Sequence, residues 1–251
     1  METLGVIPAR YQSTRLAGKA LLDIGGKPLV QHVYERAKKS KELEELWIAT
    51  DDSRIAEAAK GFGAKVIMTS STHLSGTDRV AEVARQNSVK FIVNIQADEP
   101  LVAPAMIDLL VSALKKEGEE VGMASLYRPL RRLADEKDLL SPNVVKVIMD
   151  RKGYALYFSR GVIPFHRKSP SFSGTPPYFK HLGFYAYRRD FLLYLTSLEP
   201  SPLELTEGLE QLRVLENGGK IRMVKSPFDT VGVDTYEDLE RVRKILGKKH
   251  A

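Results

Sequence analysis

Four short apolar runs, at residues 4–9, 46–50, 64–68 and 91–95, punctuate the first ~120 residues, and a stretch with helical spacing follows each of them. The helical stretches carry Leu29, Val33 and Ala37; Ile55, Ala56 and Ala59; Val80, Ala81 and Ala84; and Met106, Leu109, Leu110, Ala113 and Leu114. Pro28 and Pro104 stand where helices begin, and Asp51-Asp52-Ser53 supplies an acidic N-cap cluster. Parallel neighbours need a crossover, usually a helix. The rhythm therefore predicts an α/β fold: a mostly parallel sheet with Rossmann-like layering and helices on both faces. In such sheets ligands bind at the carboxyl ends of the strands, near the point where strand order reverses. The loop beginning at Arg10, the stretch around Ser75 and the turn at Asp98 all fall at such ends.

From Val121 the rhythm changes. Residues 144–149 and 154–158 flank Asp150-Arg151-Lys152-Gly153, which reads as a hairpin with glycine at a position that tolerates positive φ. Residues 167–177, rich in Ser, Pro and Gly, read as a long loop, and 182–187 as a strand. One helix is expected over 203–217, closed by Gly218-Gly219, then a strand at 221–224 and a final helix capped by Thr235. An antiparallel subregion thus joins the parallel one in a single domain.

The chain has no cysteine, which excludes disulfides, thiolate nucleophiles and Cys-ligated zinc, so any metal must sit on oxygen or imidazole ligands. The formal charge of +6 comes from mixed signs without a long basic block, which argues against a nucleic-acid partner and fits a solvated surface or an enzyme for acidic substrates. No apolar run nears the ~20 residues a membrane span requires, and the N-terminus lacks the pattern of a secretory signal. A cytoplasmic protein without membrane insertion is expected. There is no G-x-G-x-x-G after the first run, and Gly18-Lys19 is followed by Ala20 instead of Ser or Thr, so nicotinamide and P-loop chemistries are disfavoured.

Several residues could still carry chemistry. The loop from Arg10 to Lys19 holds three cations, Arg10, Arg15 and Lys19, and fits either a polyphosphate or a basic surface turn. Asp98, ending the most strand-like run, reads as a metal ligand or as a turn acid. Asp234 reads as its partner or as a helix cap. Arg160 could clamp a carboxylate with its planar fork or form a surface pair. His181 precedes a strand as an isolated histidine. Glu207, Glu210 and Gln211, on one expected helix, fit a solvated face or a hydroxyl-binding rim.

Seven segments taken together are more specific: Ile7-Pro8-Ala9-Arg10 through Leu16-Ala17-Gly18-Lys19, Ser75-Gly76-Thr77-Asp78-Arg79, Asn94-Ile95-Gln96-Ala97-Asp98-Glu99-Pro100, Tyr154-Ala155-Leu156-Tyr157-Phe158-Ser159-Arg160, His181-Leu182-Gly183-Phe184-Tyr185, Leu209-Glu210-Gln211-Leu212-Arg213 and Gly232-Val233-Asp234-Thr235. In this order the chain closely resembles the 3-deoxy-manno-octulosonate (Kdo) cytidylyltransferases, over almost its whole length. The resemblance implies a nucleotide-diphospho-sugar transferase-like fold and attack of the anomeric 2-hydroxyl of Kdo on the α-phosphate of CTP, giving CMP-Kdo and diphosphate for lipopolysaccharide assembly. It also implies that Arg10, Arg15 and Lys19 hold the triphosphate, with Arg10, Lys19 and Asp98 catalytic. Ala9, Ser75, Gly76 and Gln96 would lie near the nucleotide. Asp98 and Asp234 would bind magnesium, and Arg160, His181, Tyr185, Glu210 and Gln211 would surround the acidic sugar.

By the same resemblance, residues 1–120 form a nucleotide-binding half, 121–190 an antiparallel sugar-binding and dimerisation subregion, and 191–251 complete the site of a homodimer. Two departures stand out. Ala17 and Ala20 occupy positions where the family commonly has proline, so the first loop is expected to be less rigid. The nearest rivals are cytidylyltransferases of the same layering that act on sialic acid or methylerythritol phosphate.

Overall fold

The computed structural model describes residues 1–12, 16–130, 135–167 and 178–247. The chain divides into two compact units, residues 1–111 with 230–251, and residues 112–229. From the N-terminus run β1 (Thr3–Ala9), the two-residue strands β2 (Asp23–Ile24) and β3 (Lys27–Pro28), α1 (Leu29–Ala37), β4 (Glu45–Thr50), α2 (Ser53–Gly61), β5 (Lys65–Met68), α3 (Gly76–Arg85), β6 (Phe91–Asn94) and α4 (Pro104–Lys116). β1 pairs in parallel with β4 on one side and β6 on the other, and β4 pairs in parallel with β5. Strand order therefore reverses at β1, and the carboxyl ends of β1 and β6 form the switch point.

Burial explains these elements. β6 is buried at all four positions, as expected for a parallel strand covered on both faces. α1 buries Leu29, Val30, Val33, Tyr34 and Ala37 along one stripe, and α3 buries Val80, Ala81, Val83 and Ala84. The β2–β3 hairpin, turning at Gly25-Gly26, has strands too short for periodicity to announce.

The second unit contains β7 (Met123–Leu130), α5 (Glu136–Leu140), β8 (Lys146–Met149), β9 (Ala155–Ser159), β10 (Tyr178–Arg188), α6 (Arg189–Leu195), α7 (Pro202–Glu207), α8 (Gln211–Glu216) and β11 (Ile221–Lys225). β10 runs antiparallel to β7 and β8, β8 antiparallel to β9, and β11 parallel to β7. The expected hairpin is β8–β9, its turn held by Asp150 Oδ1, which accepts from the N–H groups of Lys152 and Tyr154 at 2.8 and 2.9 Å.

The single helix expected over 203–217 is two helices. Gly208, at φ 63°, adopts the left-handed conformation that ends α7, and α8 begins afresh at Gln211. Glu207, Glu210 and Gln211 therefore do not share one helix face: Glu207 closes α7, Glu210 caps α8 and Gln211 opens it. The chain returns to the first unit and ends in α9 (Tyr236–Gly247). Thr235 caps α9, its Oγ1 accepting from Asp238 N at 3.2 Å while Asp238 accepts from Thr235 N at 3.0 Å. Among the described residues no helix is long and apolar enough to cross a membrane.

Gly122, just before β7, lies against α6: a Cβ there would sit 2.0 Å from Phe191 Cγ and 2.6 Å from Phe191 Cβ. Because Phe191 Cβ is fixed to its backbone, that clash cannot be relieved by a rotamer change. Gly122→Ala is expected to destabilise the protein by about 1–3 kcal/mol, read as a lower urea midpoint at unchanged m-value.

Candidate active site

In the first unit the proposed residues converge on the switch point. Ala9, buried, is the last residue of β1, and Arg10 emerges exposed directly after it. Arg15 lies outside the described residues. The mouth of this loop is closed by Gly18 N, which donates to Tyr11 O at 2.9 Å. The Tyr11 ring lies under the Arg54 guanidinium, 3.3 Å from Cζ to centroid, and Asp52 fixes Arg54 with bonds of 3.0 and 2.6 Å. Gly18, at φ 65°, leads Lys19 into a short 3₁₀ turn. The described ends of the loop are thus pinned by hydrogen bonding and stacking.

Lys19 joins the two acids. Its Nζ lies 2.7 Å from Asp98 Oδ2 and 3.1 Å from Asp234 Oδ1. Burial alone would lower its pKa, but the charges and hydrogen bonds of Asp98 and Asp234 outweigh it, and the ammonium is held above the ordinary lysine value. A main-chain bond from Val233 N to Asp98 O, 2.9 Å, ties the segments bearing the two carboxylates. Gly232 permits this approach, since a Cβ there would meet Glu99 Oε1 at 3.2 Å. Thr235, with Asp238, fills the capping role at the start of α9.

Ser75 caps α3 in a box with Asp78, with bonds of 3.1 Å from Asp78 N and 3.2 Å to Asp78 Oδ2. Gly76 follows as the first helical residue, its Cα side facing Pro8 of β1, whose Cγ a Cβ would meet at 3.3 Å. An exposed or partly open helix N-terminus beside a basic loop favours an anion. Gln96 Nε2 donates to Asn94 Oδ1 at 3.4 Å.

The second unit assembles the other set. The pairing of β10 with β7 shifts register between Leu182 and Tyr185, a bulge in the strand. Here the His181 and Tyr185 rings lie 5.6 Å apart. His181 is buried, edge-on to Phe158 at 4.9 Å, and its Nε2 lies 2.8 Å from Ser125 Oγ. Ser125 Oγ also lies 3.0 Å from the bulge carbonyl of Phe184. With the hydroxyl proton on that carbonyl, Nε2–H donates to Ser125, and the other ring nitrogen keeps a lone pair for a hydroxyl donor. Tyr185 OH donates to Gln211 Oε1 at 3.3 Å, and its phenol is held above the ordinary range by burial and by the Glu210 charge. Gln211 is buried and its Nε2 has no hydrogen-bond partner among the described residues. Glu210 is exposed at the start of α8.

Arg160 is more committed than its sequence context indicates. Its Nε donates to Glu207 O at 2.7 Å, Nη1 to Pro142 O at 3.0 Å and Nη2 to Gly208 O at 3.4 Å. Of the five donors of a guanidinium, three are thereby on carbonyls among the described residues. The Glu207 carboxylate, near Arg160, accepts from Ser159 Oγ at 2.7 Å and Arg160 N at 2.9 Å. Sequence reasoning missed Ser125 and Ser159. Nothing local marks Ser125, whereas Ser159 stands beside Arg160 in a quoted segment.

A parallel sheet whose switch point carries a basic loop and two carboxylates has the layout of a nucleotidyltransferase. The same fold recurs, at 12% identity and a TM-score of 0.61, in 4-diphosphocytidyl-2C-methyl-D-erythritol synthase from Anaerococcus prevotii, covering 98% of each chain. The cytidylyltransferase family model matches residues 4–221. A 3-deoxy-manno-octulosonate cytidylyltransferase of Geobacter sulfurreducens is 52% identical over 98% of this chain and all of its own, and one of Thermodesulfovibrio yellowstonii is 46% identical over 98% of both. A solved CMP:2-keto-3-deoxy-manno-octonic acid synthetase complexed with CTP superposes with a TM-score of 0.91 at 41% identity, covering 99% of this chain and 100% of that one. The chain belongs to the cytidylyltransferase family, and within it to the 3-deoxy-manno-octulosonate cytidylyltransferases.

Burial pushes the His181 imidazole down to about 3 from an ordinary value of 6.5. The unfolded chain therefore takes up a proton that the folded ring refuses, so this contribution to stability is full above about pH 6.5 and is lost as pH falls toward 3. At about pH 5 the loss amounts to about 2 kcal/mol. In urea denaturation, the difference in stability between about pH 7.5 and about pH 5 should shrink by that order in His181→Gln.

Proposed function

We propose that the protein transfers a cytidylyl group from CTP to 3-deoxy-D-manno-octulosonate, giving CMP-Kdo and diphosphate for lipopolysaccharide biosynthesis. The anomeric 2-hydroxyl oxygen forms a bond to the α-phosphorus, the bond from that phosphorus to the bridging oxygen breaks, diphosphate departs, and the hydroxyl proton is released. What supports the reading most is the full-length likeness to a synthetase solved with CTP, together with a lysine and two carboxylates at the switch point.

The work of the chain in this reaction is alignment and charge neutralisation, which phosphoryl-type transfer mainly requires. Arg10, Arg15 and Lys19 hold the triphosphate. Ala9, Ser75, Gly76 and Gln96 line the nucleotide. Arg160 offers its guanidinium to the sugar carboxylate, while His181, Tyr185, Glu210 and Gln211 bind hydroxyls. Gln211 Nε2, without a hydrogen-bond partner among the described residues, is the kind of donor such a sugar would satisfy.

Asp98 and Asp234 fit magnesium, which takes one or two protein carboxylates and completes its shell with phosphate and water. The fit is visible in Lys19: one cation already bonds both carboxylates. When bound, magnesium would neutralise the α-phosphate and lower the pKa of the attacking hydroxyl. We further infer a cytoplasmic homodimer acting on small molecules, without nucleic acid. Exposed Leu156 on the β8–β9 hairpin, with Val162 and Phe165 just beyond it, supplies apolar surface of the kind that pairs copies.

Diphosphate release should require CTP, Kdo and magnesium together, and sialic acid or methylerythritol phosphate should not replace Kdo. Asp98→Asn and Asp234→Asn should each lower kcat/KM on the order of 100-fold or more. Turnover preferring another acceptor, or unaffected by either substitution, would sink the reading. Light scattering after size exclusion should give twice the 28.1 kDa chain mass.

A further inference from the structure

Lys146, the first residue of β8, has no exposed surface, and among the described residues its ammonium is not bonded to a carboxylate. Its Nζ donates to three main-chain carbonyls: Ser141 O at 2.9 Å, Val144 O at 2.6 Å and Arg160 O at 2.6 Å. An ammonium has three N–H donors, so all are satisfied. Burying a charge is expensive unless it is fully hydrogen-bonded, and an apolar residue here would avoid that expense. The retained charge therefore points to a geometric task.

The task is legible in what the ammonium joins. It draws the 141–144 loop onto the backbone of Arg160, and Arg160 in turn reaches Pro142 O in that same loop and the carbonyls of Glu207 and Gly208 at the end of α7. In the β8–β9 ladder Lys146 stands opposite Ser159, whose hydroxyl donates to Glu207. Glu207 also receives Arg160 N. Two and three residues beyond Gly208 come Glu210 and Gln211. One buried cation thus fixes the backbone of Arg160 and, through it, the turn that launches Gln211.

We propose that Lys146 is a positioning residue for the acidic-sugar half of the site: it holds Arg160 and the α7–α8 turn in place without touching substrate. This rests on the sugar assignment made above. The test is Lys146→Met in the full chain. The KM for Kdo should rise by about tenfold or more, since small displacements of binding groups are costly, while the KM for CTP stays within about twofold. Amide hydrogen exchange of residues 141–144 and 207–211, measured without substrate, should accelerate. If Lys146→Met does not fold, Lys146→Arg keeps the buried charge but cannot converge its planar donors on three carbonyls, and should show the same split and the same exchange. Equal changes in both KM values, a fall in kcat alone, or unchanged exchange in these segments would overturn the proposal. Failure of the unaltered protein to turn over Kdo would count against the sugar assignment, and the exchange measurement would still decide the role of Lys146.

Discussion

Two ionised carboxylates in a small volume repel one another unless a cation or a shared proton stands between them, and the first unit is organised around that constraint. Asp98 comes from the end of β6, Asp234 from the segment entering α9, and Lys19 from the loop after β1. These positions are far apart in sequence, so the arrangement forms only when the chain has left the first unit at residue 111 and come back at residue 230. The bond from Val233 N to Asp98 O and the absence of a side chain at Gly232 bring the acids close. The same negative potential that raises the Lys19 pKa is what a divalent cation would meet. Around it the neighbouring strand ends are tied by buried charge: Arg79 reaches Asp51 after β4, at 3.2 Å, and bonds Thr69 after β5.

Under the proposed function the second unit meets a different problem, the recognition of sugar hydroxyls beside one carboxylate. Charge attracts from a distance, whereas hydroxyl groups are distinguished by donors and acceptors held at fixed places and otherwise unsatisfied. The rings of His181 and Tyr185 stand 5.6 Å apart across the β10 bulge, and Gln211, opening α8 after the Gly208 break, accepts from Tyr185 OH. Burial keeps His181 neutral, so its ring serves as a hydrogen-bonding group whose character does not change across the neutral pH range.

The contrast explains what the sequence could disclose. The parallel half was legible because β1, β4 and β6 are largely buried and the helices show apolar stripes, and because ligand loops follow strand ends by topology. The competition over Asp234 between capping and metal binding was not decidable locally, since Thr235 and Asp234 are both good caps; Asp238, three residues after Thr235, completes the box that assigns the cap. In the other half the misreadings share a cause. Residues 203–217 keep an apolar spacing compatible with one helix, and only the left-handed Gly208 divides it. The neighbourhood of Ser125, His181 and Gln211 depends on cross-strand register, which no local pattern encodes.

Lys146 belongs to both categories. A lone lysine inside Val144-Val145-Lys146-Val147-Ile148-Met149 contradicts its surroundings, and a charge in an apolar strand must find compensation or face solvent. Its anomaly is therefore visible in one dimension. Its compensation is not, because two of the three carbonyls come from the preceding loop and the third from Arg160 across the hairpin. Local inconsistency in a sequence marks a position where tertiary structure supplies the missing partner, and here the partner is the backbone of a residue expected to bind substrate. Hydrophobic patterning determined where this strand would run; the hydrogen-bonding demand of a single buried ammonium determines what must close around it.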